Sequence, residues 1–195
     1  IIGRPNVGKS SLTNAIVNED RSIVSDVAGT TRDAVDTRFK YNGEEYIVID
    51  TAGMRKQGKI YESVEKYSLL RSLKAIDRSD VCVLVIDAST GIIEHDKHIA
   101  SYAIEAGKGL VLVVNKWDSI EKNNSTVNEF TRDINTALAY MSYAPILFVS
   151  AKTGQRVREI YKHIQYVYNQ TNTRVPTGML NDVLGEATMR VQPPS

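Results

Sequence analysis

The apolar positions along the chain alternate between strand-like and helix-like spacing. Residues 81–87 and 110–114 are continuous apolar runs of strand length, the pattern of parallel strands covered on both faces. Residues 146–149 repeat it in shorter form. Between these runs the period changes. Leu12, Ala15 and Ile16 predict a helix over residues 11–18, and Val64, Tyr67, Leu70, Leu73 and Ile76 predict another over 61–76. Further helices are predicted over 97–106, 127–141 and 157–168. Residues 34–41 and 44–50 read as two strands joined at Asn42-Gly43, a dipeptide favoured in two-residue hairpins. Residues 19–33 and 51–59 are polar, contain glycine and lack periodicity, so they read as loops. Strands alternating with helices predict an α/β fold, a doubly wound, mostly parallel sheet with one antiparallel edge hairpin.

Residues 169–173 form a polar linker, and a short helix carrying Leu180, Val183 and Leu184 follows it. Two readings stand for this helix: docked on the main domain, or the first helix of a second domain. The strand expected before the first loop is represented only by Ile1 and Ile2, too few residues for a strand. The chain therefore reads as part of a longer protein, beginning inside a strand.

Composition narrows the class. The 195 residues are 42% hydrophobic and 24% charged, an ordinary globular balance. A formal net charge of +1 excludes a uniformly basic nucleic-acid binder but leaves room for local patches. One such patch lies within residues 54–78, where Arg55, Lys56, Lys59, Lys66, Arg71, Lys74 and Arg78 outnumber the acidic residues. It suits RNA phosphates or an adjacent domain, with a solvated helix face as the alternative. The single cysteine, Cys82, excludes a disulfide framework. No apolar run reaches the roughly 18 residues that span a bilayer, and no leader pattern is visible, so a cytoplasmic setting without membrane contact is expected. His95, His98 and His163 are scattered over polar segments and read as surface residues.

The chemistry is carried by five short segments. Gly3-Arg4-Pro5-Asn6-Val7-Gly8-Lys9-Ser10 matches the P-loop pattern G-x-x-x-x-G-K-[ST]. Asn6, Val7, Gly8, Lys9, Ser10 and Ser11 are the expected phosphate binders. Backbone N–H groups there form an anion-binding nest in front of a helix N-terminus. Lys9 places a cation on the β- and γ-phosphates, and the Ser10 hydroxyl is positioned for Mg²⁺. Asn115-Lys116-Trp117-Asp118 follows the strand that ends at Val114. A carboxylate at Asp118 accepts the N1 and exocyclic amino protons of guanine, whereas adenine would set a lone pair against it. An unpaired buried polar group costs about 1–3 kcal/mol, so guanine is selected. The Lys116 stem can cover the base, and Asn115 can tie this loop to the P-loop. Ser150-Ala151-Lys152, after the last strand, supplies donors toward the guanine carbonyl. Asp50-Thr51-Ala52-Gly53 provides a carboxylate, Asp50, that holds Mg²⁺ through water, and a Gly53 N–H for the γ-phosphate. In Gly29-Thr30-Thr31-Arg32-Asp33, Thr31 is preferred over Thr30 as the Mg²⁺-closing hydroxyl. Lys9, Thr31 and Gly53 are thus the residues placed on the reacting phosphates, with GTP and GDP as ligands.

These motifs resemble the translation-factor-like branch of small GTPases. Gly-Arg-Pro-Asn-Val-Gly-Lys-Ser-Ser, Ala-Gly-Thr-Thr-Arg-Asp, Asp-Thr-Ala-Gly-Met-Arg-Lys and Asn-Lys-Trp-Asp look like the Der (EngA) family of bacterial double GTPases, specifically its second GTPase domain. The resemblance implies a P-loop NTPase fold over residues 1–172 and the start of a KH-like domain over 173–195. It also implies a role in assembling the large ribosomal subunit, with ribosomal RNA and other domains of a full-length chain as partners. Met54 stands where Ras-type enzymes carry a water-orienting Gln. This resembles GTPases with a hydrophobic residue there, several of which are activated by K⁺ bound beside a P-loop asparagine, matched by Asn6. Slow hydrolysis stimulated by K⁺ is the expectation, and Glu65, a further candidate for orienting water, reads rather as an exposed helical carboxylate. Two alternatives remain: a regulatory nucleotide-binding module with little catalysis of its own, and an Era-like or tRNA-modification-type GTPase.

Overall fold

A computed structural model describes residues 1–19, 36–49 and 73–190. Three parallel strands form its centre: β3 (Val81–Asp87), β4 (Gly109–Asn115) and β5 (Ile146–Phe148), hydrogen-bonded in that order. Ile2 extends the sheet on the far side of β3 through a parallel bridge to Leu84. Its N–H donates to the Val83 carbonyl at 2.8 Å, and its carbonyl accepts from Val85 N–H at 2.9 Å. The strands alternate with helices α1 (Lys9–Glu19), α2 (Glu94–Glu105), α3 (Thr126–Ala137) and α4 (Glu159–Thr171), and α5 (Thr177–Arg190) follows. Residues 73–78 are helical as well.

Both faces of the sheet are buried, and the period-two geometry of a strand divides its side chains between two cores. Cys82, Leu84 and Ile86 of β3 join Ile99, Ala100 and Ala103 of α2 and Ile134 of α3. Val83 and Val85 join Leu12 and Ile16 of α1 and Ile160, Tyr161 and Val167 of α4. This is the doubly wound α/β arrangement, and each large aliphatic side chain so buried contributes about 1.5–3 kcal/mol. The antiparallel hairpin β1 (Thr37–Tyr41) and β2 (Glu44–Val48) pairs Thr37 with Val48 and Tyr41 with Glu44. Asn42 (φ 49°) and Gly43 (φ 85°) both adopt the left-handed region that a two-residue hairpin of this twist requires. The hairpin buries Phe39 and Val48 in the second core.

Several element ends differ from the sequence-based bounds. The first helix begins at Lys9 rather than residue 11, because the loop passes straight into the helix. Helix α2 starts at Glu94 rather than 97: its acidic first turn favours the helix N-terminus, and the Asp96 carboxylate accepts the Ile93 N–H at 3.2 Å. The helix predicted over 127–141 breaks at Leu138 (φ −121°, ψ 44°) and resumes as a 3₁₀ turn, Ala139–Met141. Helix α4 runs to Thr171, where the Thr171 hydroxyl donates to the Val167 carbonyl at 3.1 Å. Helix α5 buries none of its residues. Among the described residues no helix is long and apolar enough to cross a membrane.

Candidate nucleotide-binding site

The loop 3–8 leaves the sheet beside β3 and is bent by three positive φ angles, at Gly3 (138°), Asn6 (65°) and Gly8 (93°). Glycine is required twice for space as well. A Cβ on Gly3 would lie 2.7 Å from the Val85 carbonyl oxygen, and one on Gly8 would lie 2.3 Å from Nδ2 of Asn115. The Lys9 ammonium folds back under the loop and donates to the carbonyls of Gly3 and Arg4, each at 2.7 Å. Burial holds its pKa down to about 8, against the opposing pull of Asp96. Ser10 lies in the first turn of α1, Val7 is buried, and Ser11 is exposed.

The other loops emerge from the C-terminal ends of β4 and β5, where open parallel sheets bind ligands. Asn115, 2% exposed, is the junction. Its Nδ2 donates to the Val7 carbonyl at 2.9 Å, and its Oδ1 accepts the Ala151 N–H at 3.0 Å. One side-chain amide thereby holds the P-loop and the Ser150-Ala151-Lys152 turn together. Lys116 takes a left-handed backbone (φ 61°, ψ 31°). Its ammonium donates to the Asn6 carbonyl at 2.7 Å and to Oδ2 of Asp87 at 2.5 Å. Trp117 N–H bonds the Val149 carbonyl at 3.0 Å, and its ring packs in the core against Phe148 and Phe130. Asp118 is exposed, with Oδ1 accepting the hydroxyl of buried Ser150 at 2.6 Å. That hydrogen bond holds the Asp118 carboxyl below the ordinary carboxylate range, so it is ionised at neutral pH. Ala151 is half-buried, and Lys152 is exposed.

Asp87 and Asp96 had no motif to announce them, and Arg4 is a variable position of the P-loop. Asp87, the last residue of β3, sits opposite Asn115 in the ladder and engages Lys116. Arg4 donates through Nη2 to the Thr90 hydroxyl, and its Nε lies 3.5 Å from Oδ2 of the fully buried Asp96. The contact is imperfect: Arg4 Nε and Asp96 Oδ1 are buried without a hydrogen-bond partner. Burial pushes the Asp96 carboxyl upward. Thr31, Asp50, Gly53, Met54 and Glu65 lie outside the described residues, as do Arg55, Lys56, Lys59, Lys66 and Arg71 of the basic segment. Of the remaining two, Lys74 is exposed and Arg78 pairs with Asp36.

A P-loop closed by its own lysine, and bonded through Asn115 to the carboxylate-bearing loop that follows β4, defines a P-loop GTPase domain. The family described as 50S ribosome-binding GTPase matches residues 1–116, and the chain belongs to it. Over its whole length it is similar to the GTPase Der of Alkaliphilus oremlandii, at 58% identity over 195 residues, and to that of Alkaliphilus metalliredigens, at 56%. The chain spans 44% of the length of these curated relatives. Among solved structures, Era in complex with MgGDPNP and nucleotides 1506–1542 of 16S ribosomal RNA matches with a TM-score of 0.64 and 27% identity, over 90% of this chain and 57% of that one. The elongation factor SelB of Methanococcus maripaludis reaches the same TM-score at 17% identity, over 90% of this chain and 34% of that one, a likeness of fold.

Proposed function

We propose that this domain binds GTP and GDP between the P-loop and the two base loops and hydrolyses GTP as a switch in assembly of the large ribosomal subunit. The observation that carries the reading is the Asn115 amide, which joins a phosphate-binding loop to two loops suited to guanine. Asp118, ionised and oriented by Ser150, would read the N1 and amino protons of guanine. Lys116 would cover the base, and Ala151 and Lys152 would face its carbonyl. The backbone of residues 6–11 and Lys9 would bind the phosphates. The Ser10 hydroxyl, Thr31 and (through water) Asp50 would hold Mg²⁺, an oxygen-donor set that suits this hard cation. The ion supplies charge neutralisation across the β- and γ-phosphates. Thr31 and Gly53 would complete the reacting site. Asn6 is exposed with its carbonyl engaged by Lys116, and its side-chain amide oxygen is our assignment for K⁺.

The ribosomal role rests on the similarity to GTPase Der. On the same basis residues 1–172 are the second GTPase domain of a cytoplasmic double GTPase, and residues 173–195 open a KH-like domain. That α5 buries no residue is consistent with a helix that belongs to a following unit. The basic residues of 54–78 would then meet ribosomal RNA or a neighbouring domain in one nucleotide state. Single-turnover GTP hydrolysis by this chain, run in K⁺ and in Na⁺, tests the proposal. Turnover well above the uncatalysed rate and faster in K⁺ is expected. Equal rates in the two salts would remove the K⁺ assignment, and turnover at the uncatalysed rate would leave a regulatory binding module.

A further inference from the structure

The base-covering lysine is not free to choose its pose. Lys116 carries four rotatable side-chain bonds, and an unanchored lysine on a strained backbone would sweep through many rotamers. Here the ammonium is fixed on two sides, by the Asn6 carbonyl at 2.7 Å and by Asp87 Oδ2 at 2.5 Å. Asp87 in turn has a settled geometry. Its Oδ1 accepts both the N–H of Ser89, at 2.9 Å, and the Ser89 hydroxyl, at 2.7 Å, which directs Oδ2 to Lys116. The carboxylate side chain is 10% exposed against 38% for the lysine, so water screens this pair less than a surface ion pair. Burial pushes the Asp87 carboxyl up, and the bonds from Lys116 and Ser89 outweigh it, keeping the group ionised at neutral pH. The backbone is pinned at the same place: Asp87 faces Asn115 in the parallel ladder, and Ala88 N–H donates to the Asn115 carbonyl at 2.9 Å.

We propose that Asp87 is a positioning residue for guanine-nucleotide binding, clamping Lys116 so that its aliphatic stem forms a fixed wall for the base while its ammonium steadies the P-loop at Asn6. The inference rests on the reading of Lys116 as the residue that covers the base. Asp87 itself contacts neither base nor phosphate in that reading. Its whole effect passes through Lys116, and it reads no edge of the purine.

The chain carrying Asp87→Asn, Lys116→Met or both is titrated with GDP, IDP and ADP. Asparagine keeps the shape of Asp87 and an oxygen for Ser89, and removes the charge that holds the lysine. Asp87→Asn is expected to weaken GDP binding about tenfold, in line with the loss of a partly desolvated charge-assisted hydrogen bond. IDP lacks the amino group assigned to Asp118. It should weaken by the same factor, leaving the GDP-to-IDP preference within about twofold of the parent, since purine-edge contacts are unchanged. In the Lys116→Met background, Asp87→Asn should change GDP affinity less than about twofold, the signature of complete coupling. The proposal is overturned if Asp87→Asn binds GDP like the parent, if its effect persists undiminished without Lys116, or if it alters the GDP-to-IDP preference. Failure of the underlying reading looks different: the unaltered chain would then show no preference for GDP over ADP.

Discussion

At the residue scale, Asn115 divides one buried amide between two loops that are far apart in the chain. Asn115→Ala removes both bonds and leaves the Val7 carbonyl and Ala151 N–H without partners. It should cost about 2–3 kcal/mol of stability in denaturant titration and weaken GDP binding at the same time. Lys9 yields a pH dependence with two opposite signs. Its pKa is about 8 in the nucleotide-free domain and would rise against phosphate charge. GDP affinity should therefore be flat below pH 7 and fall up to about tenfold per pH unit as pH climbs past 8, in calorimetric titrations of the unaltered chain. The stability of the nucleotide-free fold responds in the other direction. Between about 8 and the ordinary lysine value of 10.5, the unfolded chain holds the Lys9 proton that the folded one has lost, so this residue's contribution becomes more favourable as pH rises. The loops carrying Lys9, Asn115 and Ser150 could be placed from the sequence because each follows apolar strand residues, whereas Thr31, Asp50 and Gly53 lie outside the described residues. Asp87 and Asp96 were not legible in this way. An acidic residue closing a strand or opening a helix reads as solvated, and only tertiary packing shows that Asp96 is wholly buried and Asp87 nearly so.

At the element scale, the hairpin, α1 and α4 meet at Tyr161. Its ring stacks on Tyr41 at 3.8 Å between centroids and contacts Phe39 and Tyr46. Its hydroxyl donates to the Ile16 carbonyl at 2.8 Å, capping one of the carbonyls that the end of α1 leaves open. Tyr161→Phe keeps the stacking and strips the cap, an expected loss of about 1–1.5 kcal/mol. At this domain size that is a fall in Tm of about 2–6 °C by differential scanning calorimetry. Hydrophobic periodicity located the five strands and α1 to α4, because each has a core-facing stripe; the 3₁₀ turn Trp117–Ser119 has none and was not read. It misjudged ends wherever a polar side chain, not an apolar one, sets the boundary. Glu94 and Asp96 lengthen α2 at its start, and Thr171 lengthens α4 at its end. The break at Leu138 was equally hidden, since Ile134, Leu138 and Met141 are all buried and keep helical spacing across it.

At the scale of the whole molecule, the two cores draw on the sheet, the hairpin and α1 to α4, whereas Met179, Leu180, Val183 and Leu184 of α5 are exposed. Ending the chain at Asn172 should leave Tm within about 2 °C of the full chain, because residues 173–190, the described part of the segment removed, contribute no buried residue. A larger fall would show α5 docking on the domain in solution. The net charge of +1 says little about partners when Arg55, Lys56, Lys59, Lys66, Arg71, Lys74 and Arg78 outnumber the acidic residues locally within 54–78. The shared Asn115 amide also bears on kinetics. If these loops read the base and hold the phosphates as proposed, bonding to one side chain should keep them from loosening independently, and a ligand should have no half-released state with the purine free and the phosphates held. Departure of the nucleotide should follow a single exponential, and opening at either end of the pocket, by a partner or by the chain itself, should discharge the whole ligand.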